Sequence, residues 1–155
     1  MEASKRRGKI LRMLREAKGW SQQDLVDAAQ AANGGQRVLT KAYLSKIEMG
    51  ARNVGSEVLD AILLVLEVAD DALTSKRAVE IEGDPTAFIA RETLAAFVAK
   101  DKLTDDGEVL QRMLEVLPHV EGPTSVDEWR QMYPYLLAYH KARSDAHRKR
   151  APRRT

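Results

Sequence analysis

Apolar residues recur along this chain at three- and four-residue spacing, the interval that brings side chains onto one face of an α-helix, and no alternating run bounded by hairpin turns interrupts them. Ile10, Leu11, Leu14 and Ala17 form one such stripe, which predicts a first helix from about Ser4, as N-cap, to Lys18, with Gly19 as the stop. Lys5, Arg6, Lys9, Arg12 and Arg15 are expected to crowd the rest of its surface. Ser21, with Asp24 three residues on, predicts a capped second helix whose inward residues are Leu25, Val26 and Ala29. Asn33-Gly34-Gly35 favours positive φ and breaks that helix within 31–37. Thr40 then caps a third helix that ends at Gly50. From Ser56, the residues Val58, Leu59, Ile62, Leu63, Val65 and Leu66 point in so many directions that this helix must lie in the centre of a core. A short acidic helix over 70–73 closes the group.

Residues 75–83 read as a connector ending at Asp84-Pro85, where Asp caps and Pro fits the first turn of a new helix. Helical spacing continues over 85–100 through Ile89, Leu94, Phe97 and Val98, and over 105–117 through Val109, Leu110, Met113 and Leu117. Pro118 and Gly122-Pro123 punctuate the chain before Ser125 and Glu128, a second capping box. The helix that follows should be interrupted or kinked at Pro134, and carries Tyr135, Leu136, Leu137 and Tyr139 in its second half. From Ala146 the chain lacks apolar partners and reads as a disordered basic tail. The pattern is all-α: a five-helix unit over 1–74, a C-terminal helical unit over 84–145, and a tail over 146–155.

Composition narrows the picture. With 155 residues the chain can bury one ordinary core or two small ones, short for a two-domain enzyme. It has no cysteine, which excludes disulfides and thiolate metal sites. The longest apolar run, Ala61 to Leu66, is six residues, far below a bilayer span, and the charged N-terminus lacks the apolar core of a signal peptide, so a cytoplasmic, nucleoid-associated protein without a membrane contact is expected. The formal net charge of +2 hides a segregation. Lys and Arg outnumber Asp and Glu by 11 to 5 over residues 1–55 and by 7 to 1 over 141–155, while they trail 0 to 5 over 56–74 and 7 to 12 over 75–140. A basic front with an acidic body suits a polyanion at one face.

The third helix concentrates that expectation. Its Leu44 and Ile47 face a core while Lys41, Tyr43 and Lys46 point elsewhere, the division expected of a helix offered to a DNA groove. The series Leu11-Arg12-Met13-Leu14-Arg15, Gly19-Trp20-Ser21-Gln22-Gln23-Asp24-Leu25, Tyr43-Leu44-Ser45-Lys46-Ile47-Glu48-Met49-Gly50-Ala51-Arg52, and Ser56 to Leu66 resembles the lambda-repressor-like (Xre-type) helix-turn-helix family over about residues 8–74. Ser21 and Thr40 are nineteen positions apart, an excess of eight over the family's usual spacing. Such an insertion around 33–37 can lengthen the second helix or form a basic loop beside the groove. Val54-Gly55 also stands where the family commonly has a proline.

The resemblance implies that the third helix lays its first turn in the major groove, with Lys41, Ala42, Tyr43 and Lys46 at base edges. Gln22 resembles the family glutamine that meets phosphate at a helix N-terminus, and Gln23, Arg37, Thr40, Ser45, Arg52 and Asn53 are further backbone-contact candidates. Glu48 is expected to hold the fold by hydrogen bonds, since its charge would repel phosphate. Enzyme chemistry is not expected: His119, His140 and His147 are scattered, Asp70-Asp71 and Asp105-Asp106 sit at helix starts, and Gly34-Gly35 lacks the rest of a phosphate loop. No metal or cofactor is expected. The reading is a DNA-binding transcriptional regulator, acting as a homodimer on double-stranded DNA with a regulatory protein partner as a further option. Its alternatives are an antitoxin-like module whose C-terminal helices bind another protein and a weakly specific architectural protein. The basic tail fits added DNA affinity or a solvated terminus, with another acidic partner as the lesser option.

Overall fold

The computed structural model describes residues 2–103 and 123–150, and among them the chain is helical with no strand. Seven α-helices run in order: α1 (Glu2–Ala17), α2 (Gln22–Ala32), α3 (Lys41–Glu48), α4 (Ser56–Leu66), α5 (Ser75–Gly83), α6 (Pro85–Asp101) and α7 (Val126–Arg150), with a 3₁₀ turn at Asp70–Leu73 between α4 and α5. The helix expected over 105–117 and the tail beyond Arg150 lie outside the described residues.

Local chemistry sets most of the helix starts. Ser21 Oγ accepts from the Asp24 amide at 3.1 Å while the Asp24 carboxylate accepts from the Ser21 amide at 2.8 Å, the reciprocal box that satisfies two otherwise orphaned donors. Thr40 Oγ1 accepts from the Tyr43 amide, and Asp84 Oδ1 from the Ala87 amide with Pro85 in the first turn. At Ser125 the arrangement differs from the sequence expectation. Ser125 Oγ accepts from the Glu128 amide, but the Glu128 carboxylate reaches one residue further back, to the Thr124 amide at 2.7 Å. Ser4 is not a cap either: α1 begins at Glu2, and the Ser4 hydroxyl donates to Asn53 Oδ1.

Three further expectations are corrected. Residues 75–83 are not a connector but helix α5, because Ala78 and Ile81, three apart, are buried against α1 and α6. Pro134 does not interrupt the last helix, which runs as one element through it. Ala146 to Arg150, expected as disordered tail, continue α7.

Two cores result. The larger joins Ile10, Leu11 and Leu14 of α1, Leu25 and Val26 of α2, Leu44 and Ile47 of α3 and Ile62, Leu63 and Leu66 of α4, then extends to Ala78, Ile81, Phe88 and Ile89. The smaller joins Ala90, Leu94 and Phe97 of α6 to Val126 and Trp129 of α7. Helix α6 therefore serves both cores with successive turns. Trp129, fully buried, donates its indole N–H to Thr93 Oγ1 at 2.9 Å, and Thr93 in turn donates to the Ile89 carbonyl, so no polar atom of the pair is stranded. Tyr133 meets Phe97 edge to face at 5.6 Å, and Arg130 grips Asp101 with two N–H groups at 2.9 and 3.1 Å.

Helices α1 and α3 meet nearly backbone on backbone. A methyl group at Gly8 would overlap the Ile47 carbonyl oxygen and lie 2.8 Å from that of Glu48, and one at Gly50 would lie 2.7 Å from Lys5 Cα. Gly8→Ala should therefore lower stability by about 1–3 kcal/mol, as overpacking does, although helix propensity alone favours alanine by ~1 kcal/mol; an increase in the urea midpoint would show that α1 and α3 do not meet this closely. A second expectation concerns acid. Arg130 holds the Asp101 carboxyl below its ordinary value, chiefly through the side-chain hydrogen bond. Its contribution is thus present above the usual carboxylate range and lost as pH falls through the depressed value in the folded protein. The stability gap between wild type and Asp101→Asn should shrink as the pH is taken below about 4; a gap that widens in acid would contradict the pairing.

Candidate nucleic-acid interface

Helix α3 has eight residues, and its two sides do different things. At 100° per residue, Leu44, Ile47 and Glu48 share the inward arc and are buried, while Ala42, Ser45 and Lys46 share the opposite one; Lys41, in the first turn, lies about 20° around the axis from Glu48 but is exposed. Lys41, Ala42 and Lys46 are exposed and Ser45 is half-buried. Tyr43 sits on the border. Its ring packs against the larger core, its hydroxyl donates to the Asn53 carbonyl at 3.4 Å, and the Arg52 guanidinium lies 5.1 Å from the ring centroid.

The inward arc is locked by charge as well as by packing. Glu48, with a side chain only 4 % exposed, accepts from Arg15 Nε at 2.7 Å and Arg15 Nη2 at 3.1 Å, and from Gln22 Nε2 at 2.9 Å. Arg15 Nη1 donates to the Trp20 carbonyl at 2.6 Å. One carboxylate thus ties α1, the α1–α2 turn, α2 and α3 together. Glu48 does the structural work expected of it. Arg15 corrects the expectation that it lies on the basic surface of α1: it is buried at the centre of this network.

The remaining candidates fall into three places. Gln22 and Gln23 open α2, where the first amide groups have no acceptor within the helix. Gln22 spends one amide hydrogen on Glu48, and Gln23 donates to Asp27 at 2.8 Å. The eight-residue excess divides between a longer α2, which runs to Ala32, and a braced turn. There Gly34 and Gly35 take φ of +68° and +86°, the Gly35 amide donates to the Gln30 carbonyl, and the Gln30 side chain donates to the Gly35 carbonyl. Beyond it, Arg37, Val38, Leu39, Thr40, Tyr43 and Arg52 line an open cleft of about 330 Å³ beside the start of α3. Arg52 also lines a second hollow with Ser4, Arg7, Gly8, Ile47, Asn53 and Val54. The structure so brings Arg37, Thr40, Tyr43 and Arg52 together, places Asn53 next to them, and leaves Gln22 and Gln23 at a separate helix end.

Arg7 is the basic residue that the sequence reading missed. It is exposed and shares a hollow with Arg52 and Asn53, whereas Arg6 is paired with Glu82 and Arg12 with Glu16. Nothing local separates Arg7 from its basic neighbours; only the fold of Ser4 onto Asn53 does so.

Lys18 follows the last residue of α1. Its side chain is buried, with the ammonium 3.5 Å from Glu67 and 4.9 Å from the centroid of the Trp20 ring, and burial draws its pKa down against the opposing pull of Glu67. Glu67 has a left-handed backbone, φ 60°, and its carboxylate also accepts from the Val126 amide at 2.8 Å, capping α7.

If Glu48 organises the interface, Glu48→Ala leaves the Arg15 guanidinium buried without its partner and should cost about 3–5 kcal/mol in urea unfolding. Replacing both Arg15 and Glu48 by Met should recover much of that loss. A single substitution that costs nothing would rule out the network as the tie between α1 and α3.

No curated protein and no solved structure shows significant similarity to this chain. Residues 8–75 match the family model described as a helix-turn-helix domain. That match begins at Gly8, where α1 meets α3, and ends at the start of α5, so it covers the Arg15–Glu48 network and the exposed arc of α3 together. The match identifies residues 8–75 as a helix-turn-helix domain, consistent with the lambda-repressor-like resemblance of its motifs.

Proposed function

We propose that the protein is a sequence-specific transcriptional regulator, most simply a repressor, that reads the major groove with α3 and acts by binding rather than catalysis. One observation carries this reading: the arc Ala42, Ser45 and Lys46 is turned outward, with Lys41 exposed in the first turn, on a capped helix whose other side is fixed by Leu44, Ile47 and the buried Glu48. Lysine ammonium groups can donate to guanine O6 and N7, and the Ala42 methyl can pack on a thymine methyl. Tyr43, at the border of the arc, is placed for a sugar or base-edge contact alongside Arg52. Arg37, Thr40, Ser45, Arg52 and Asn53 would meet phosphates on one side of the groove, with Arg7 beside them, and Gln22 and Gln23 would meet phosphate at the N-terminus of α2. A dimer would set two α3 helices about 34 Å apart on a two-fold symmetric operator.

Selection of a site from random DNA by the purified protein, followed by titrations against that site and a scrambled one, tests the reading. Lys41→Ala or Lys46→Ala should weaken the selected site roughly 5- to 150-fold while changing random DNA little. Equal losses on both sequences would reject base reading. Arg52→Ala should weaken both alike and reduce the salt slope by about one unit; an unchanged slope would reject its phosphate contact.

A further inference from the structure

Helix α7 has two faces and uses one. Val126, Trp129, Tyr133 and Leu136 turn toward α6 and the smaller core. About 120° around the helix, at 100° per residue, lies a second row, Met132, Tyr135, Tyr139, Ala142 and Ala146, spaced by three and four residues in turn. This is the spacing of a coiled-coil seam, and it faces outward: Tyr135 is 79 % exposed and Tyr139 65 %, and Met132, Ala142 and Ala146 are exposed as well. Two exposed tyrosines on a helix that runs from the core to Arg150 make an apolar row that water does not favour.

We propose that the occupant of this face is α7 of a second copy, lying antiparallel, so that the protein pairs through Tyr135 and Tyr139. The direction follows from charge and size. The first turns carry Asp127 and Glu128, with Arg130 already engaged by Asp101 and Asp127, whereas the later turns carry Lys141, Arg143, Arg148 and Lys149 against Asp145 alone. A parallel pair would set the basic ends side by side and stack Tyr on Tyr and Ala on Ala, crowding one level and leaving a gap at the next. The antiparallel pair, centred between Tyr135 and Tyr139, sets each Tyr135 opposite Tyr139 of the second copy and each Met132 opposite Ala142, large against small. Glu128 then lies level with Ala146 of the second copy, flanked by Arg143 and Lys149. Two heptads make a short seam, so association is weak and concentration-dependent. The inference deepens the regulator reading by naming the surface that pairs the two reading helices, and it rests on that reading only for the use made of the pair.

Sedimentation of the full-length chain across a concentration series should show a reversible monomer–dimer equilibrium, with the dimer weakened at least about thirtyfold by Tyr135→Ser with Tyr139→Ser. Because the chain has no cysteine, single thiols report direction without interference. Met132→Cys mixed with Ala142→Cys should form a disulfide-linked heterodimer under mild oxidation. Met132→Cys alone should not, since two such residues would stand about 15 Å apart along the antiparallel pair, beyond disulfide reach. Ready cross-linking of Met132→Cys alone would mean a parallel pair and overturn the proposal, as would a monomer at every concentration or a tyrosine face that associates only with a different protein. DNA titration of the unsubstituted full-length chain separates the two readings. A chain that stays monomeric yet keeps Lys41-dependent half-site binding sinks only this inference, and one that pairs without binding DNA sinks only the other.

Discussion

A carboxylate taken out of water has to be given back the hydrogen bonds it lost, and Glu48 receives three, two from Arg15 and one from Gln22. That requirement orders the N-terminal half. Arg15 must point inward from α1, Gln22 must start α2 where its amide reaches the carboxylate, and α3 must be rotated so that Glu48 and not Lys46 faces the core. Once α3 is held in that rotation, Lys46 has only the solvent side left. Apolar packing alone would tolerate some rotation of a helix this short, because Leu44 and Ile47 can slide over a greasy surface. A buried charge pair with bidentate geometry allows far less. The ionic network therefore acts on specificity of orientation, with hydrophobic burial supplying most of the stability.

The same logic, at smaller scale, fastens the C-terminal helix to this unit. Lys18 brings a buried ammonium from the end of α1, Glu67 answers it from the end of α4, and the other side of that carboxylate caps α7 at Val126. Glu67 can do both only because its backbone is left-handed, which turns the chain sharply after Leu66. The N-terminus of α7, and with it the direction of the tyrosine row, is thereby referred to the domain that carries α3. Two paired molecules would in that way inherit a defined placement of their reading helices.

Much of this was legible in the sequence because it is local. Ser21, Thr40 and Asp84 announce helix starts through their own side chains, and the rows Leu44–Ile47 and Ile62–Leu63–Leu66 declare a core by spacing alone. The role of Glu48 was legible from charge, since a carboxylate on a DNA-facing helix is better turned inward. What escaped depends on tertiary context. Arg15 reads like any arginine on an amphipathic helix until its partner, thirty-three residues away, is known. Helix α5 shows too few apolar positions, with Ala78 and Ile81 inward and Val79 out, to stand apart from a polar linker. Pro134 and the basic residues after Ala146 both argue against helix locally, yet α7 passes Pro134 and continues to Arg150. The place of Arg7 depends on how Ser4 meets Asn53, and its basic neighbours conceal it.

The contact at Gly8 bears on how α3 can vary over time. With no side chain between α1 and the last turn of α3, the distance between the two helices is set by main-chain atoms, which every sequence shares. Exchanges of Leu11, Leu44 or Ile47 can alter how the interior fills while that spacing is retained. If α3 reads DNA as proposed, its outward residues would be free to change and acquire new base preferences on a mount whose position does not change with them. In such an arrangement the glycine serves as a gauge: it separates what the domain needs in order to fold from what it would need in order to choose a sequence.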